Sequence, residues 1–268
     1  MVKFPQELVD AIIDQLYQDR RALLACLSVS SFFRCRAQFH LFLSIPLAKE
    51  GDFEEFSLLC ATSPSIPNLV KTLRVTLPES AISLPRLPYV HTLHLNGSLR
   101  VMSKDLGTFR RKFSWLPNTL TSLSIQNITF SSIETFRSLL GALPLLRSLS
   151  LLTVAAITTR SNNSHLLEPS RDDSGPPIEV LSITSINSDG VCAFFHGHPH
   201  LRPFALHRLR ELHYFGFVVE QVTDIQRLLN ESRDSLREFH LRPTFYSMPG
   251  LYSEGRVRVE YEAEKGAL

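Results

Sequence analysis

The stretch Leu120-Thr121-Ser122-Leu123-Ser124-Ile125 places apolar side chains at its first, fourth and sixth positions and small hydroxylic side chains between them. The same spacing recurs from residue 70 to residue 241, at intervals of 20 to 32 residues. The seven copies of this motif begin at Val70, Val90, Leu120, Leu146, Ile178, Leu209 and Leu236. Because side chains alternate along a strand, each copy predicts a short β-strand with one buried face.

Several intervals between the motif copies carry apolar residues at helical spacing. These runs are Ile133-Phe136-Leu139-Leu140, Val191-Phe194-Phe195 and Val222-Ile225-Leu228-Leu229. Alternating strands and helices predict an α/β fold with a parallel sheet, in which each unit buries its apolar face against the next. The alternative is that apolar triplets recur by chance in a chain that is 44% hydrophobic, within a non-repetitive α/β domain.

The seven copies resemble degenerate leucine-rich repeats, whose period of about 20 to 29 residues overlaps these intervals. The resemblance implies that residues 69–268 form a leucine-rich-repeat-like solenoid with a parallel sheet. The family usually carries Asn or Cys three positions after the last apolar residue, where it bonds backbone groups of the turn. Those positions hold Pro78, Ser98, Ile128, Val154, Ile186, Phe217 and Thr244. The curvature and regularity of the solenoid therefore stay open.

The first forty-odd residues predict three short helices. Pro5 suits a first helical turn, and Leu8, Ile12 and Leu16 recur every fourth residue after it. Asp19 can cap a second helix, and a third, rich in phenylalanine, follows it. A unit of roughly 40 residues buries too little surface to enclose so many apolar side chains, so some of them need a partner or the rest of the chain.

This pattern resembles the F-box, the adaptor-binding module of SCF-type ubiquitin ligases, and places a small three-helix F-box at residues 1–46. Degenerate leucine-rich repeats often follow an F-box, particularly in fungal proteins. The matching positions are Pro5, Glu7, Leu8, Ile12, Leu16, Leu23, Val29 and Ser30, while Phe4 stands where the family usually has leucine. The resemblance implies docking to a Skp adaptor, and through it to cullin and RING proteins. The expected adaptor-binding residues are Pro5, Glu7, Leu8, Ile12, Leu16, Leu23, Leu24 and Val29.

Three other segments complete the predicted organisation. Residues 47–68 form a connection that contains a helix over 52–60, with Phe53, Phe56 and either Leu59 or Cys60 on one face. Residues 158–177 are rich in Ser, Asn, Asp and Pro and predict an exposed loop. Residues 256–261 alternate between apolar and charged side chains and predict a strand that can cover the last motif copies.

Composition excludes several classes of function. The net charge is +2 with 20% charged residues, so no strong field is available to attract nucleic acid. We expect no membrane association, because the longest apolar stretches are interrupted by polar residues. The cysteines Cys26, Cys35, Cys60 and Cys192 form no C-x-x-C pair and fit reduced thiols. We therefore expect a cytoplasmic or nuclear protein, or one present in both compartments.

Catalytic signatures are missing from the sequence. It contains no nucleophile elbow, Walker loop, zinc-finger spacing or Rossmann glycine pattern. His196, His198 and His200 are a weak metal candidate, since Gly197 and Pro199 between them predict a helix that ends in a turn. The adjacent carboxylates at 54–55 and 172–173 lie on segments predicted to face solvent. We expect no catalytic residues, no metal, no cofactor and no enzymatic activity.

The polar positions of the motif predict a recognition surface. Position five holds Arg74, His94, Ser124, Ser150, Ser182, His213 and His240, and position seven holds Thr76, Asn96, Gln126, Leu152, Thr184, Phe215 and Arg242. Aromatic and arginine side chains are enriched among interface hot spots, whereas a row of serines is typical of a passive scaffold. We therefore expect His213, Phe215, His240 and Arg242 to bind an unknown protein target.

Together these features predict the substrate-recognition subunit of an SCF-type E3 ubiquitin ligase. The alternative is a repeat-based interaction scaffold outside the ubiquitin system, whose F-box-like helices only cap the solenoid. An enzyme with an unrecognised site is a third and more distant reading. The identity of the target does not follow from the sequence.

Overall fold

The computed structural model of the chain describes residues 5–77, 84–97, 118–156, 175–184, 204–217, 222–243 and 257–260. Within these ranges the fold is mixed α/β, with seven helices and a sheet of eight parallel strands to which a ninth, antiparallel strand is added. The prediction of an α/β fold with a parallel sheet is confirmed.

The chain begins with three packed helices, which we call the three-helix module (residues 5–43). They are α1 (Gln6–Gln15), α2 (Arg20–Val29) and α3 (Ser31–Leu43). The predicted cap of α2 is present, because the Asp19 carboxylate accepts the Ala22 N–H at 3.0 Å. The module has its own small core, formed by Val9, Ile13, Leu23, Ala37 and Leu41.

The sheet starts directly after α3 and runs in sequence order. Its strands are β1 (Ser44–Leu47), β2 (Thr72–Thr76), β3 (Thr92–Asn96), β4 (Ser122–Gln126), β6 (Ser148–Leu152), β8 (Val180–Thr184), β9 (Glu211–Phe217), β10 (Glu238–Pro243) and the antiparallel β11 (Val257–Glu260). The short strands β5 (Thr129–Phe130) and β7 (Ala155–Ala156) pair with each other in a separate two-stranded sheet. The strand expected within 256–261 is thus confirmed, and it lies against the edge of β10.

All seven motif copies lie on successive strands in matching register. Leu73 is paired with Leu93, Leu93 with Leu123 and Leu123 with Leu149, and the same register continues to β10. The apolar residues at positions one, four and six are buried throughout, apart from the partly buried Leu241. They form one continuous core, in which each fully buried leucine contributes roughly 1.5–3 kcal/mol.

The turns that follow β4 and β6 are closed by apolar burial. Ile128 and Val154 stand where leucine-rich repeats usually carry Asn, and they are 1% and 2% exposed. The residues before them, Asn127 and Thr153, adopt left-handed backbone with φ of 54° and 53°. The aliphatic side chains of Ile128 and Val154 thus pack into the core at these turns, and the strands keep a regular register.

Helices complete the core. In α4 (Glu50–Thr62), Phe53, Phe56 and Cys60 are buried on one face, as predicted, and burial raises the pKa of the Cys60 thiol. The remaining helices are α5 (Ile66–Leu69), α6 (Ile133–Gly141) and α7 (Val222–Ser232). The last two confirm helical runs that were predicted from spacing.

The three-helix module and the sheet are joined by packing as well as by the chain. Phe42 of α3 contacts both the module core and the sheet core. The Leu43 carbonyl accepts the N–H of Lys71 at 3.0 Å, which holds the end of α3 against the start of β2. Strand β1 was not predicted, and it crosses the expected boundary at 46/47. The helix expected at 191–195 and residues 158–174 of the expected loop lie outside the described residues.

Gly97 provides a test of the close packing after β3. A Cβ atom there would lie 2.7 Å from Cγ1 of Ile128 and 3.0 Å from the Asn127 carbonyl oxygen. We expect Gly97→Ala to lower the free energy of unfolding by about 1–3 kcal/mol, because Ile128 is buried in the core and the second contact is to a backbone atom. Gly51→Ala is the control, since no atom lies within 4 Å of its added Cβ. Urea unfolding measures both variants, and equal stabilities would contradict the prediction.

Candidate functional site

The three-helix module exposes an unusual amount of apolar surface. Six of the ten large apolar side chains that are exposed within the described residues belong to it, although it spans only residues 5–43. They are Leu8, Ile12, Tyr17, Leu24, Val29 and Phe32, each between 48% and 68% exposed. Apolar surface concentrated in this way typically marks a site of protein interaction.

The geometry of α1 explains this exposure. Val9 and Ile13 point into the module core and are 5% and 0% exposed. Leu8 and Ile12 precede them by one residue, so they lie about 100° around the helix on a face that no other part of the module covers. The apolar stripe of α1 is therefore wider than its packing inside the chain requires.

Most of the predicted adaptor-binding residues lie on the surface, but two do not. Pro5, Glu7, Leu8, Ile12, Leu24 and Val29 are exposed. Leu16 is half-buried against the module core. Leu23 is only 2% exposed and belongs to that core, so it lies inside the module and not on its surface. Adjacent residues of a helix point about 100° apart, so the side chain of Leu24, the next residue of α2, faces outward while that of Leu23 faces the core.

A charged cluster fixes α1 against α3. Arg36 donates through two nitrogens to the carboxylate of Asp14, and His40 Nε2 lies 2.7 Å from Asp14 Oδ1. These hydrogen bonds hold the pKa of Asp14 well below its usual range. The cluster positions the helices that carry Leu8 and Ile12. Sequence reasoning missed it, although Arg36 and His40 share one face of α3 four residues apart.

A groove of about 670 Å³ lies where α1, α3 and α5 meet. It is lined by Gln6, Asp10, Ser31, Phe32, Cys35, Arg36, Phe39 and Leu69. Gln6 donates both to Asp10 and to the Phe32 carbonyl, and the Arg36 guanidinium lies 5.0 Å from the centre of the Phe39 ring. The groove lies on the side of α1 that carries Gln6 and Asp10, roughly 160° around the helix from Leu8 and Ile12, and the sequence alone did not indicate it.

The polar face of the sheet is the second candidate surface, and its late strands bring the predicted target residues together. The rings of His213 and His240 stack with a centroid separation of 4.6 Å and an interplanar angle of 2°. Phe215 lies beside His213 on β9, with ring centroids 6.2 Å apart, and Arg242 is its register partner on β10. The four predicted residues therefore form one patch across two neighbouring strands.

Carboxylates lie beside this patch. The carboxylate of Glu211 is 3.7 Å from His213 Nε2, and that of Glu238 is 3.5 Å from His240 Nε2. At the other end of the sheet, burial and the nearby Arg74 guanidinium lower the pKa of His94. In the described part of the chain, no group of three His, Cys, Asp or Glu side chains is placed to hold a metal ion.

Other sequence features are exposed or undescribed. Glu54 and Glu55 are exposed on α4. The histidines at 196, 198 and 200 and the carboxylates at 172–173 lie outside the described residues. Among the helices that are described, none has the length and apolarity needed to cross a bilayer.

Neither a scan against protein-family models nor searches of curated proteins and of solved structures returned a match.

The charged cluster predicts a pH dependence of stability. Because folding lowers the pKa of Asp14 below its ordinary value of 3.8, the stability it contributes is fully present above that value and is lost as the pH falls below it. We expect Asp14→Asn to melt at a lower temperature than the wild type at pH 7, with the difference shrinking between pH 4 and pH 2. Thermal unfolding across this range tests the prediction, with Glu54→Gln as the exposed control. A difference that is constant with pH would contradict it.

Proposed function

We propose that this protein is a substrate-recognition subunit of an SCF-type E3 ubiquitin ligase. In this proposal the three-helix module is an F-box that binds a Skp adaptor, and the sheet belongs to a degenerate leucine-rich-repeat solenoid that binds a protein target. The observation that carries the proposal is the concentration of exposed apolar side chains on a module whose own core is already filled.

The exposed residues coincide with most of the positions at which the sequence resembles an F-box. Leu8, Ile12, Leu24 and Val29 offer an apolar surface to the adaptor, while the buried Leu23 holds α2 in place. Each apolar side chain that the adaptor covers contributes about 25 cal/mol per Å² removed from water.

The connection between module and sheet supports a role in positioning. Phe42 packs into both cores, so a target held on the sheet keeps a defined orientation relative to the adaptor. In such a ligase the chain supplies no nucleophile. It acts by raising the effective concentration of the target's lysines near the ubiquitin carried by a conjugating enzyme.

The alternative is a scaffold outside the ubiquitin system, in which the module only caps the solenoid. A capping unit needs an apolar inner face and a polar outer face. The contacts of Phe42 with the sheet core fit that role, but the exposure of Leu8, Ile12 and Val29 does not. We therefore favour adaptor binding. The proposed working compartment is the cytoplasm, the nucleus or both, where SCF ligases act.

Adaptor binding is tested by co-expression with a Skp adaptor. We expect a 1:1 complex with the wild-type chain and its loss in Leu8→Asp/Ile12→Asp, because an unpaired carboxylate in an apolar interface costs several kcal/mol. The matched control is Leu58→Asp/Leu145→Asp, which alters two similarly exposed apolar residues that lie outside the three-helix module. Absence of a wild-type complex, or its survival in the first variant, would refute the assignment.

Target binding is tested by comparing captured proteins. We expect Phe215→Ala/Arg242→Ala to weaken target capture at least tenfold, since an apolar anchor and a multidentate donor are removed, while recovery of the adaptor is unchanged. Ser124→Ala/Ser150→Ala, on the same face of the sheet, serves as the matched variant with little expected effect. Quantitative mass spectrometry of the captured proteins provides the measurement. Equal capture by all three chains would exclude the late strands as the target site.

A further inference from the structure

The rings on β9 form a wall on the polar face of the sheet. His213 and Phe215 lie side by side along β9, with an angle of 24° between their planes, and His240 stacks behind His213 on β10. Because the stack runs from β9 toward β10, the other face of the His213 ring is turned toward β8. We call His213, Phe215 and His240 the ring wall.

In front of the ring wall lies a floor of small, uncharged side chains. On β8, Ser182 and Thr184 are the register partners of His213 and Phe215. Ser150 and Ser124 continue the floor across β6 and β4. The floor is about 10 Å wide, since it covers two strand spacings of about 4.8 Å. Beyond it, on β3, the side chain of His94 is larger again.

On β9 and β10, charged side chains lie at the two ends of the ring wall, and on β11 the register partner of His240 is Arg258. Glu211 and Glu238 are register partners at the start of the wall, and their side chains are 44% and 58% exposed. Arg242 lies at its other end, opposite Phe215 and about 13 Å further along the strands. The strands β8, β6 and β4 lie between the ring wall and β3. Their outward-facing residues carry no charge.

We propose that the serine floor and the ring wall bind an extended segment of the target polypeptide. This inference rests on the target-binding role proposed above and specifies its chemistry. The segment places a lysine or arginine against Glu211 and Glu238, and an apolar or aromatic side chain against the His213 and Phe215 rings. The charge complementarity is directional, because the opposite end of the wall carries Arg242 and favours an acidic group.

The floor selects an extended segment over a helix. A helix satisfies its own backbone N–H and C=O groups, whereas an isolated extended segment needs partners for them. The hydroxyls of Ser124, Ser150, Ser182 and Thr184 can donate to and accept from such a backbone. The side chains of Ser124, Ser150, Ser182 and Thr184 are short and leave space for this backbone, and Leu152 and Gln126 border that space on β6 and β4 at the level of Thr184.

The probe is a library of random nonapeptides displayed on phage and selected on the full chain without adaptor. We expect the selected peptides to be enriched in a basic residue and in an apolar or aromatic residue within four positions of it. One selected peptide is then synthesised, and its affinity is measured by fluorescence anisotropy at two salt concentrations. Binding should weaken as salt rises, because the carboxylates are solvent-exposed.

Two pairs of variants locate the site. Glu211→Gln/Glu238→Gln should weaken binding of the peptide about tenfold, whereas the matched Glu54→Gln/Glu55→Gln on α4 should not change it. Ser182→Tyr should abolish binding, because the tyrosine side chain fills the space beside the ring wall. The variant should still fold, since tyrosine is well tolerated on a strand surface. Ser28→Tyr on α2 is its control. Circular dichroism verifies that each variant is folded.

Several outcomes would overturn the inference. These are failure to select any peptide, enrichment of acidic rather than basic peptides, helical binding of the selected peptide, or full affinity in Ser182→Tyr. The assay contains no adaptor, so its failure is distinguishable from failure of the F-box assignment. A chain that binds the peptide but no adaptor would instead support this surface within the alternative scaffold role.

Discussion

One backbone interaction sets the register of the whole sheet. The carbonyl of the second residue of each of the first six motif copies accepts two N–H groups from the next strand, as the Lys71 carbonyl does from His91 and Thr92 at 2.9 and 3.2 Å. The same pair of bonds recurs from the carbonyls of His91, Thr121, Arg147, Glu179 and Arg210. Because a shift of one residue would turn every side chain to the other face, this ladder keeps the apolar positions inside and the polar positions outside.

The ladder also connects the two proposed surfaces. It begins at Lys71, whose own N–H is bonded to the last residue of α3, and it ends at the strand that carries His240 and Arg242. A module attached only by a flexible chain would present a target at random orientations. Here the packing of Phe42 into both cores, together with the regular ladder, transmits the orientation of the module to the late strands.

The charge arrangement of the module is also structural. Asp14, Arg36 and His40 contact one another between α1 and α3, on a different side of α1 from Leu8 and Ile12. In the sheet, Glu211 and Glu238 lie at one end of the ring wall and Arg242 at the other, and β4, β6 and β8 carry no charged residue. The first surface therefore favours an apolar partner and the second a partner with complementary charges.

The sequence by itself determined the seven motif strands and β11, the helices α4, α6 and α7, and the grouping of His213, Phe215, His240 and Arg242, because these depend on local spacing and on one repeated register. Only the tertiary structure decided that Leu23 is buried while Leu24 is exposed, that Asp14 meets Arg36 and His40, and that β1 joins the sheet. The physical reason is the separation along the chain of the residues that decide each feature. An alternating or helical pattern follows from the geometry of the local backbone, whereas which of two adjacent apolar faces is covered depends on segments that are distant in the chain and meet only on folding.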